Sequence, residues 1–432
     1  MKYYQVIKQN LVNAIQNTVN NRELFVKNPD TDFIRNKKLP FYDCLCFILS
    51  IGGNSINAEL LNYSFYKRIT ISAAAFIQQR RKIKLTAFEN IFRNFLASVK
   101  TFKKLKDYRL IAADGCMIQI PYNPSEKETY IYNGADKKGW SRLHLNAFYD
   151  ILNHIYVSVN IEPGTKQSEA ASAVTMAETF DEKSIIIADR GYCTYNVLHS
   201  FQEKKQKYLI RSKAPSSQNG ILSKLNLENK LSNDETITIH VKRGKSKWSC
   251  DKPGFYKNIS GGGVFSRLEA GDTYSFHIRV IKFPLPTGET EYLITNLSPE
   301  EFSYNEIIEL YNLRWNIETS FRDLKYSLGL LSFHSKKAEY AMQEVYAKII
   351  MYNYSSLITH NTQIPHNQNK KQEYKINFKI AIQICMHYFK CNDNLPDIEK
   401  MLLKYIYKFR PGRGFKRNKH RRDTIFFNYR IS

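Results

Sequence analysis

The sequence predicts an α/β protein in which one sheet-forming region lies between two all-helical regions. Residues 1–105 contain a series of short amphipathic runs typical of helices, and the chain reads as helical again after residue 301. Between these regions, short apolar runs typical of strands alternate with helical segments. Because 43% of the 432 residues are hydrophobic, the chain can bury a large core.

The sheet-forming region begins with three strands, of which the second and third form a hairpin. A helix, a strand, a second helix and a further strand follow. The predicted bounds of these seven elements are residues 110–120, 143–149, 154–161, 168–180, 184–189, 196–204 and 207–211. This order of strands and helices is that of a ribonuclease H-like mixed sheet.

A mostly β insertion is predicted next, with strand-favouring runs at residues 236–241, 273–283 and 291–296. A structureless loop of such length would be exceptional inside a domain. The segment 242–248 reads Lys-Arg-Gly-Lys-Ser-Lys-Trp. It is compatible with a basic turn over a DNA backbone in which Trp248 stacks, and equally with a solvated hairpin tip.

The first 105 residues predict helices at residues 3–19, 41–49, 57–61, 72–82 and 86–99. The fourth of these places Gln78, Gln79, Arg81 and Lys82 on its exposed side. Amide and cationic side chains of this kind suit base edges and phosphates, so a small helix-turn-helix-like DNA reader is one interpretation. A surface helix of an ordinary bundle is the other.

A helix is also predicted at residues 304–326, with Ser303 as its N-cap. At about 100° per residue, Tyr311, Arg314, Glu318 and Lys325 fall on one face. The neighbouring face is an apolar stripe, made of Leu310, Leu313, Ile317, Phe321, Leu324 and Leu328. One face is therefore expected to dock into the core while the other presents a carboxylate between two cations.

Three acids stand out by their position: Asp114 within the first predicted strand, Asp189 at the end of the fourth, and Glu318 on the late helix. Clustered carboxylates repel one another unless a cation compensates them or their pKa values rise. Oxygen-only ligands suit Mg²⁺ or Mn²⁺, and two such ions about 4 Å apart support in-line phosphoryl transfer. The sequence therefore predicts a nuclease or strand-transferase site, with two metal ions. Taken singly, each acid also fits a turn or a helix ion pair.

The composition favours a polyanionic partner. There are 64 Lys and Arg against 40 Asp and Glu, a formal charge of +24. DNA is the first candidate, and an anionic membrane surface is the alternative; no run of about 18 apolar residues predicts a membrane span, and residues 1–20 do not read as a secretory signal. We therefore expect a cytoplasmic, nucleoid-associated protein. The seven cysteines lack zinc-ligand spacing and predict reduced thiols.

The acids and their neighbours resemble the bacterial insertion-sequence transposases of the hairpin-forming, cut-and-paste DDE group. The signature Tyr, two residues, Arg, three, Glu, six, Lys is matched by Tyr311, Arg314, Glu318 and Lys325. The segments Ala-Asp114-Gly and Ala-Asp189-Arg-Gly-Tyr resemble the first and second acidic motifs of that group. The resemblance covers about residues 109–334.

This resemblance implies a Mg²⁺-dependent enzyme that nicks a transposon end, forms and reopens a DNA hairpin, and joins the end to target DNA. The three acids would be the catalytic metal ligands, and the Tyr, Arg and Lys of the signature would contact the DNA backbone. Arg190 and Arg322 are further expected DNA contacts. An aromatic of the β insertion holds a flipped base in the family, and Trp248 lies in the corresponding region. Family members act as dimers on paired double-stranded DNA ends, which makes a homodimer the expected assembly.

The resulting division of the chain has five parts: a helical DNA-binding domain, the first part of the catalytic domain, the β insertion, the last part of the catalytic domain, and a helical region with a basic tail. Their predicted bounds are residues 1–105, 106–213, 214–300, 301–335 and 336–432. The tail at residues 404–422 contains nine Lys or Arg and no acid. Two other functions stay open: a ribonuclease H-like nuclease that cuts without joining, and a transposase-derived DNA-binding regulator without catalysis.

Overall fold

The structure is a computed structural model that describes residues 2–35, 38–67, 70–132, 139–180, 183–223, 225, 232–244, 254–259, 271–365, 373–391 and 397–409. These residues form thirteen α-helices and twelve β-strands. Ten strands make one mixed sheet, and the other two form a small antiparallel pair. Helices cover both faces of the large sheet, so the predicted α/β class is confirmed.

The centre of the sheet has the predicted ribonuclease H-like arrangement. Its strands are β1 (Arg109–Ile120), the short β2 (Tyr130–Ile131), β3 (Trp140–Asp150), β4 (Ile155–Pro163), β5 (Ser184–Ala188) and β6 (Lys207–Ser212). Strand β3 pairs antiparallel with β1 and with β4, so β4, like β5 and β6, runs in the same direction as β1. The spatial order β4-β3-β1-β5-β6 confirms the fold predicted from the order of the elements.

Strand β1 separates two hydrophobic cores because successive side chains of a strand point to opposite faces. Ile111 and Ala113 belong to one core, which is covered by α7 (Glu169–Ala177) and α8 (Tyr195–Glu203). Leu110 and Ala112 belong to the other, larger core. Asp114 shares the parity of Ala112, so its side chain faces the larger core.

The insertion is built of β-strands, as predicted: β7 (Asp234–Arg243), β8 (Phe255–Ile259), β9 (Thr273–Pro284) and β10 (Thr290–Thr295). It does not form a sheet of its own. Strand β10 pairs antiparallel with β6, and β9 then pairs with β10, so the insertion continues the central sheet. This pairing covers the edge of β6, which would otherwise present unpaired backbone groups. Trp248, Lys245 and Lys247 lie outside the described residues.

The N-terminal region is helical as predicted. Its helices are α1 (Tyr3–Asn20), α2 (Arg22–Phe25), α3 (Phe41–Ser50), α4 (Ile56–Lys67), α5 (Ala73–Arg80) and α6 (Thr86–Ala97). The short α2 was not predicted. Ser72 caps α5, since its hydroxyl accepts a hydrogen bond from the backbone N–H of Ala75 at 3.2 Å.

The late helix differs from its prediction. Instead of one helix at residues 304–326 there are two, α9 (Tyr304–Asn312) and α10 (Trp315–Tyr326). Leu313 and Arg314 between them keep helical dihedral angles, but the turn tightens: the N–H of Arg314 donates to the carbonyl of Tyr311 at 3.0 Å. No Pro or Gly marks this break, so the pattern gave no signal for it. The predicted cap is confirmed, because Ser303 forms a capping box with Glu306.

The C-terminal region packs around one long helix, α11 (Ala338–Asn361), which is buried on nearly every side by α1, α3, α6 and β4. It continues with β11 (Tyr374–Ile376), α12 (Phe378–Lys390), α13 (Ile398–Leu403) and β12 (Ile406–Lys408). The chain was expected to be helical after residue 301, and residues 406–408 depart from this expectation because they pair with β11 as a strand. Within the described chain, no helix is both long and apolar enough to cross a membrane. Most of the basic tail lies outside the described residues.

Candidate active site

The two aspartates come together through the register of the sheet. Ala113 on β1 pairs with Ala188 on the parallel neighbour β5. The next residue on β1 is Asp114, and the residue that follows β5 is Asp189, so the register brings the two aspartates to the same end of the strand pair. Carboxyl ends of adjacent parallel strands are the usual place for functional groups in such sheets.

The third acid arrives on α10, which packs across β1. Glu318 and Asp114 both contact Arg314: the Nη2 of Arg314 lies 2.9 Å from the Oε1 of Glu318, and its Nη1 lies 3.6 Å from the Oδ2 of Asp114. The Arg314 side chain is only 4% exposed. A buried guanidinium therefore links two of the three predicted acids, and its Nε is left without a hydrogen-bond partner among the described residues.

Asp189 has a separate set of partners. The hydroxyl of Tyr311 donates to its Oδ1 at 3.4 Å, and the Nη1 of Arg211 lies 3.7 Å from the same oxygen. Arg211 is held in turn by Glu291 on β10, with its Nε 2.5 Å from the Oε1 of that acid. Glu291 on β10 thus helps to position the guanidinium of Arg211 beside Asp189.

The electrostatic state of Asp114 is unusual for an aspartate. Burial raises its pKa to about 6, and the nearby carboxylates of Glu318 and Glu169 act in the same direction. Arg314 and the N–H of Gly115, which donates to Oδ1 at 2.9 Å, offset only part of this effect. Asp114 is therefore a buried carboxylate whose negative charge is incompletely compensated, and a cation beside it would stabilise the ionised form.

The donor chemistry fits a hard divalent cation, since all three predicted ligands offer carboxylate oxygens. Among the described residues, no three His, Cys, Asp or Glu side chains are close enough to surround one ion. Arg314 contacts Asp114 and Glu318, so its guanidinium neutralises part of the negative charge that a bound metal ion would otherwise neutralise. The six described cysteines are free thiols.

A fourth acid, Glu169, adjoins both acidic motifs and was missed by the sequence reasoning. Its Oε1 lies 3.4 Å from the Nε2 of the buried His144. A Cβ atom built on Gly115 would come within 2.4 Å of that Oε1, and one built on Gly191 within 3.2 Å of Oε2. The glycines that follow Asp114 and Arg190 were the available signal, because glycine often marks a close approach to a backbone.

The remaining predicted site residues lie at various depths. Lys325 contacts the thiol of Cys116, two residues beyond Asp114 on the same face of β1, and partly offsets the rise that burial causes in the pKa of that thiol. Arg190 and Arg322 are exposed. In the predicted DNA-reading helix, Gln78 and Arg81 are exposed, whereas Gln79 and Lys82 are half-buried.

Comparisons with known proteins identify a family and several similar proteins. A family model described as "Transposase DDE domain" matches residues 105–354. The transposase for insertion sequence element IS231F of Bacillus thuringiensis subsp. israelensis is 22% identical, with 87% of this chain and 81% of the relative covered. The transposase for element IS231E of Bacillus thuringiensis subsp. finitimus is 21% identical with the same coverage. Among solved structures, the piggyBac transposase synaptic complex with hairpin DNA is 10% identical, covers 93% of this chain and 81% of its own, and has a TM-score of 0.47.

Proposed function

Because this chain belongs to the transposase DDE domain family, we propose that it moves an insertion sequence by cutting and rejoining DNA at the ends of the element. The observation that supports this most directly is that three acids from distant parts of the chain surround the buried Arg314. Asp114 and Asp189 are adjacent across the β1–β5 pair, and Glu318 reaches Asp114 through Arg314. Such a constellation suits phosphoryl transfer on a nucleic acid.

In this proposal Asp114, Asp189 and Glu318 hold divalent metal, as enzymes of this family generally do. We propose two Mg²⁺ or Mn²⁺ ions. These residues would hold the metal, which would supply activation of the attacking oxygen and stabilisation of the leaving oxygen of the phosphodiester. Glu169 lies beside Gly115 and Gly191 and is proposed as a residue that positions Asp114 and Asp189.

The cations of the signature have distinct proposed roles. Arg314 neutralises Asp114 and Glu318 before DNA arrives, and it is proposed to contact a phosphate oxygen once a rearrangement exposes its buried, unpartnered Nε. Lys325 lies about two turns beyond Glu318 on α10 and is proposed to bind a neighbouring phosphate. Tyr311 donates to Asp189 and thereby orients its carboxylate.

The proposed reaction sequence is that of the cut-and-paste group. A strand is nicked at the terminal inverted repeat, the freed 3′-hydroxyl attacks the opposite strand to make a hairpin, the hairpin is reopened, and the end is joined to target DNA. Residues 1–105 and the basic tail are proposed to recognise the ends, and two copies of the chain to act on two ends. Gln78 and Arg81 are proposed as end contacts because both are exposed.

The experiment that tests this function is incubation of the purified chain with a labelled terminal-repeat duplex and Mg²⁺, with products resolved on a denaturing gel. A transposase of this kind yields a nick, then a hairpin, then a joined product. A plain nuclease yields nicks without a hairpin, and a silent regulator yields binding without any cleavage. Either of the last two results would contradict the proposal.

DNA binding is expected to weaken steeply as salt increases. The formal charge of +24 makes phosphate contacts the main source of affinity, and each neutralised phosphate releases counterions. For about six to ten such contacts, affinity should fall by roughly 10³ to 10⁵ between 50 and 200 mM salt. Fluorescence anisotropy with a terminal-repeat duplex measures this slope, and an unchanged affinity across that range would contradict a phosphate-dominated interface.

Gly115→Ala is expected to lower strand cleavage by at least about a hundredfold, since small displacements of catalytic groups cost about that much. The new Cβ would lie 2.4 Å from the Oε1 of Glu169 and 2.6 Å from the Nε2 of His144, so either these two side chains or the backbone beside Asp114 must shift. Cleavage rates of the purified variant at saturating DNA measure the effect.

The matched control is Gly288→Ala, in the turn between β9 and β10. Gly288 has φ +87°, and a Cβ there meets nothing within 4 Å. This variant should lose about 1 kcal/mol of stability from backbone strain and keep its cleavage rate. Equal rates for Gly115→Ala and the wild type would show that the approach of Glu169 to Gly115 does not position Asp114.

A further inference from the structure

A cavity of about 680 Å³ lies next to the proposed active site. It is bounded by α4, by the C-terminal end of α10 with the loop that follows it, and by α12. Its walls therefore come from the N-terminal region, the signature helix and the C-terminal region. None of the predicted roles of the chain uses this cavity.

Lys325 connects the cavity to the acids. It lines the cavity and also contacts the thiol of Cys116. Cys116 lies two residues beyond Asp114 on the same face of β1. Through its contact with Cys116, Lys325 therefore links the cavity to the strand that carries Asp114. A DNA strand with a phosphate at Lys325 would pass directly over the opening.

The charge of the cavity wall suits an anion. Lys325 and Lys390 line it, and Glu59 is the one acid among its described lining residues. His387 lines it as well, but burial lowers the pKa of His387, so it adds little positive charge near pH 7. The carboxylate of Glu59 already has hydrogen-bond partners, because its Oε1 accepts hydrogen bonds from the backbone and side-chain nitrogens of Asn54, both at 3.0 Å. The side chain of Glu59 is also buried, so it places little negative charge on the cavity surface.

The cavity also carries aromatic rings that the protein core does not use. Phe65 on α4 is 75% exposed, and Tyr326 at the end of α10 is 68% exposed. A third ring, Tyr66, is fixed: its hydroxyl lies 2.6 Å from the Nδ1 of His387, and the Nζ of Lys390 stands 5.0 Å from its centroid. Large apolar side chains left this exposed beside cations mark a recognition surface, and stacked bases are the ligands that combine a flat ring with a phosphate.

We propose that this cavity binds one unpaired nucleotide of the DNA strand that leaves the active site, with its phosphate between Lys325 and Lys390 and its base against Phe65 or Tyr326. The volume falls in the range of about 300 to 1,000 Å³ that accommodates small ligands, so a single nucleotide enters and a duplex does not. This inference rests on the proposed function, since it requires a DNA strand at Lys325.

The test compares, without divalent metal, a blunt duplex with the same duplex that carries a short single-stranded extension containing 2-aminopurine. The extended duplex is prepared in two forms, one with a 5′ extension and one with a 3′ extension. The wild type should bind one extended probe about tenfold more tightly than the blunt duplex, in keeping with one base stacked on an aromatic ring. Its 2-aminopurine fluorescence should be quenched. The double variant Phe65→Leu, Tyr326→Leu should lose both effects while it binds the blunt duplex as the wild type does.

The control is Leu24→Ala, a substitution at another exposed apolar side chain, on α2, which should keep the preference for the extended probe. Because Phe65 and Tyr326 are both exposed, their replacement should leave the thermal unfolding of the chain unchanged. The proposal is overturned if the wild type shows no preference for either extension, or if the double variant keeps it. Failure of the proposed function is distinguished by Asp114→Asn, which should keep the preference and abolish Mg²⁺-dependent cleavage.

Discussion

Replacing Asp114 by Asn is expected to lower metal-dependent strand cleavage by about 10³ or more, while DNA binding is retained. Asn has the same shape but no charge, so the site loses a metal ligand and the buried partner that lies 3.6 Å from Arg314. A loss of about 4 kcal/mol in transition-state stabilisation corresponds to a factor of about 10³. Single-turnover cleavage of a labelled terminal-repeat duplex measures the rate, and anisotropy without metal measures the binding.

Asp189→Asn and Glu318→Gln are expected to act in the same way, because each removes one of the three proposed ligands. The matched control is Glu309→Gln, an exposed carboxylate on α9 that should leave cleavage unchanged. Binding of the Asp114→Asn variant should be equal to or tighter than that of the wild type, since one negative charge near the phosphates is gone. Cleavage by Asp114→Asn at the wild-type rate would remove this acid from the mechanism.

The sequence was sufficient to predict which elements carry the three acids, because each acid is marked by a local rule. Asp114 interrupts an apolar strand, and Asp189 follows a wholly buried one, so both had to lie at a strand end or face a special partner. Glu318 was marked by helical spacing beside an apolar stripe. The order of the elements then required that the two strands be neighbours, as the pairing of Ala113 with Ala188 confirms.

The contacts that surround the acids could not be predicted in this way, because they join residues far apart in the chain. Arg314 was expected on an exposed face and is instead almost wholly buried between Asp114 and Glu318. Arg211 is held by Glu291, 80 positions away along the chain, only because β10 pairs with β6. No periodic pattern encodes such a pairing, since it depends on how the insertion returns to the sheet.

A second long-range contact links the N-terminal helices to α11. Arg80 at the end of α5 is 4% exposed, and its Nη1 lies 2.8 Å from the Oε1 of Glu344, which is 2% exposed. The Nδ1 of His334 lies 3.0 Å from the other oxygen of that carboxylate. The sequence reasoning placed the polar residues around Arg80 on an exposed side of the helix, with a DNA reader and an ordinary surface helix as the two interpretations. Only the three-dimensional packing shows that Arg80 itself points inward and holds α5 against α11.

Glu344→Gln is therefore expected to lower the free energy of unfolding by about 3 to 5 kcal/mol, because it leaves the guanidinium of Arg80 buried without its counter-charge. Urea unfolding followed by circular dichroism near pH 5.5 measures the loss. Glu339→Gln is the matched control on the same helix: Glu339 pairs with Lys27 at 2.8 Å, but both side chains are more than a third exposed. Such a surface pair contributes about 0 to 1 kcal/mol.

The difference between the wild type and Glu344→Gln should also depend on pH. Burial would raise the pKa of Glu344, but Arg80 and His334 overcome this and hold it at about 2, below the ordinary value of 4.5. The stabilisation is thus complete above about pH 4.5 and is lost as pH falls toward 2. Burial lowers the pKa of His334, but the carboxylate of Glu344 outweighs this effect and raises that pKa above 6.5. The stabilisation by protonated His334 is therefore complete below pH 6.5 and is lost as pH rises through the raised pKa. The difference should therefore be largest between about pH 4.5 and 6.5 and should shrink on both sides. A difference that stays constant from pH 3 to 8 would show that the Arg80–Glu344–His334 cluster is not ionised in the folded protein.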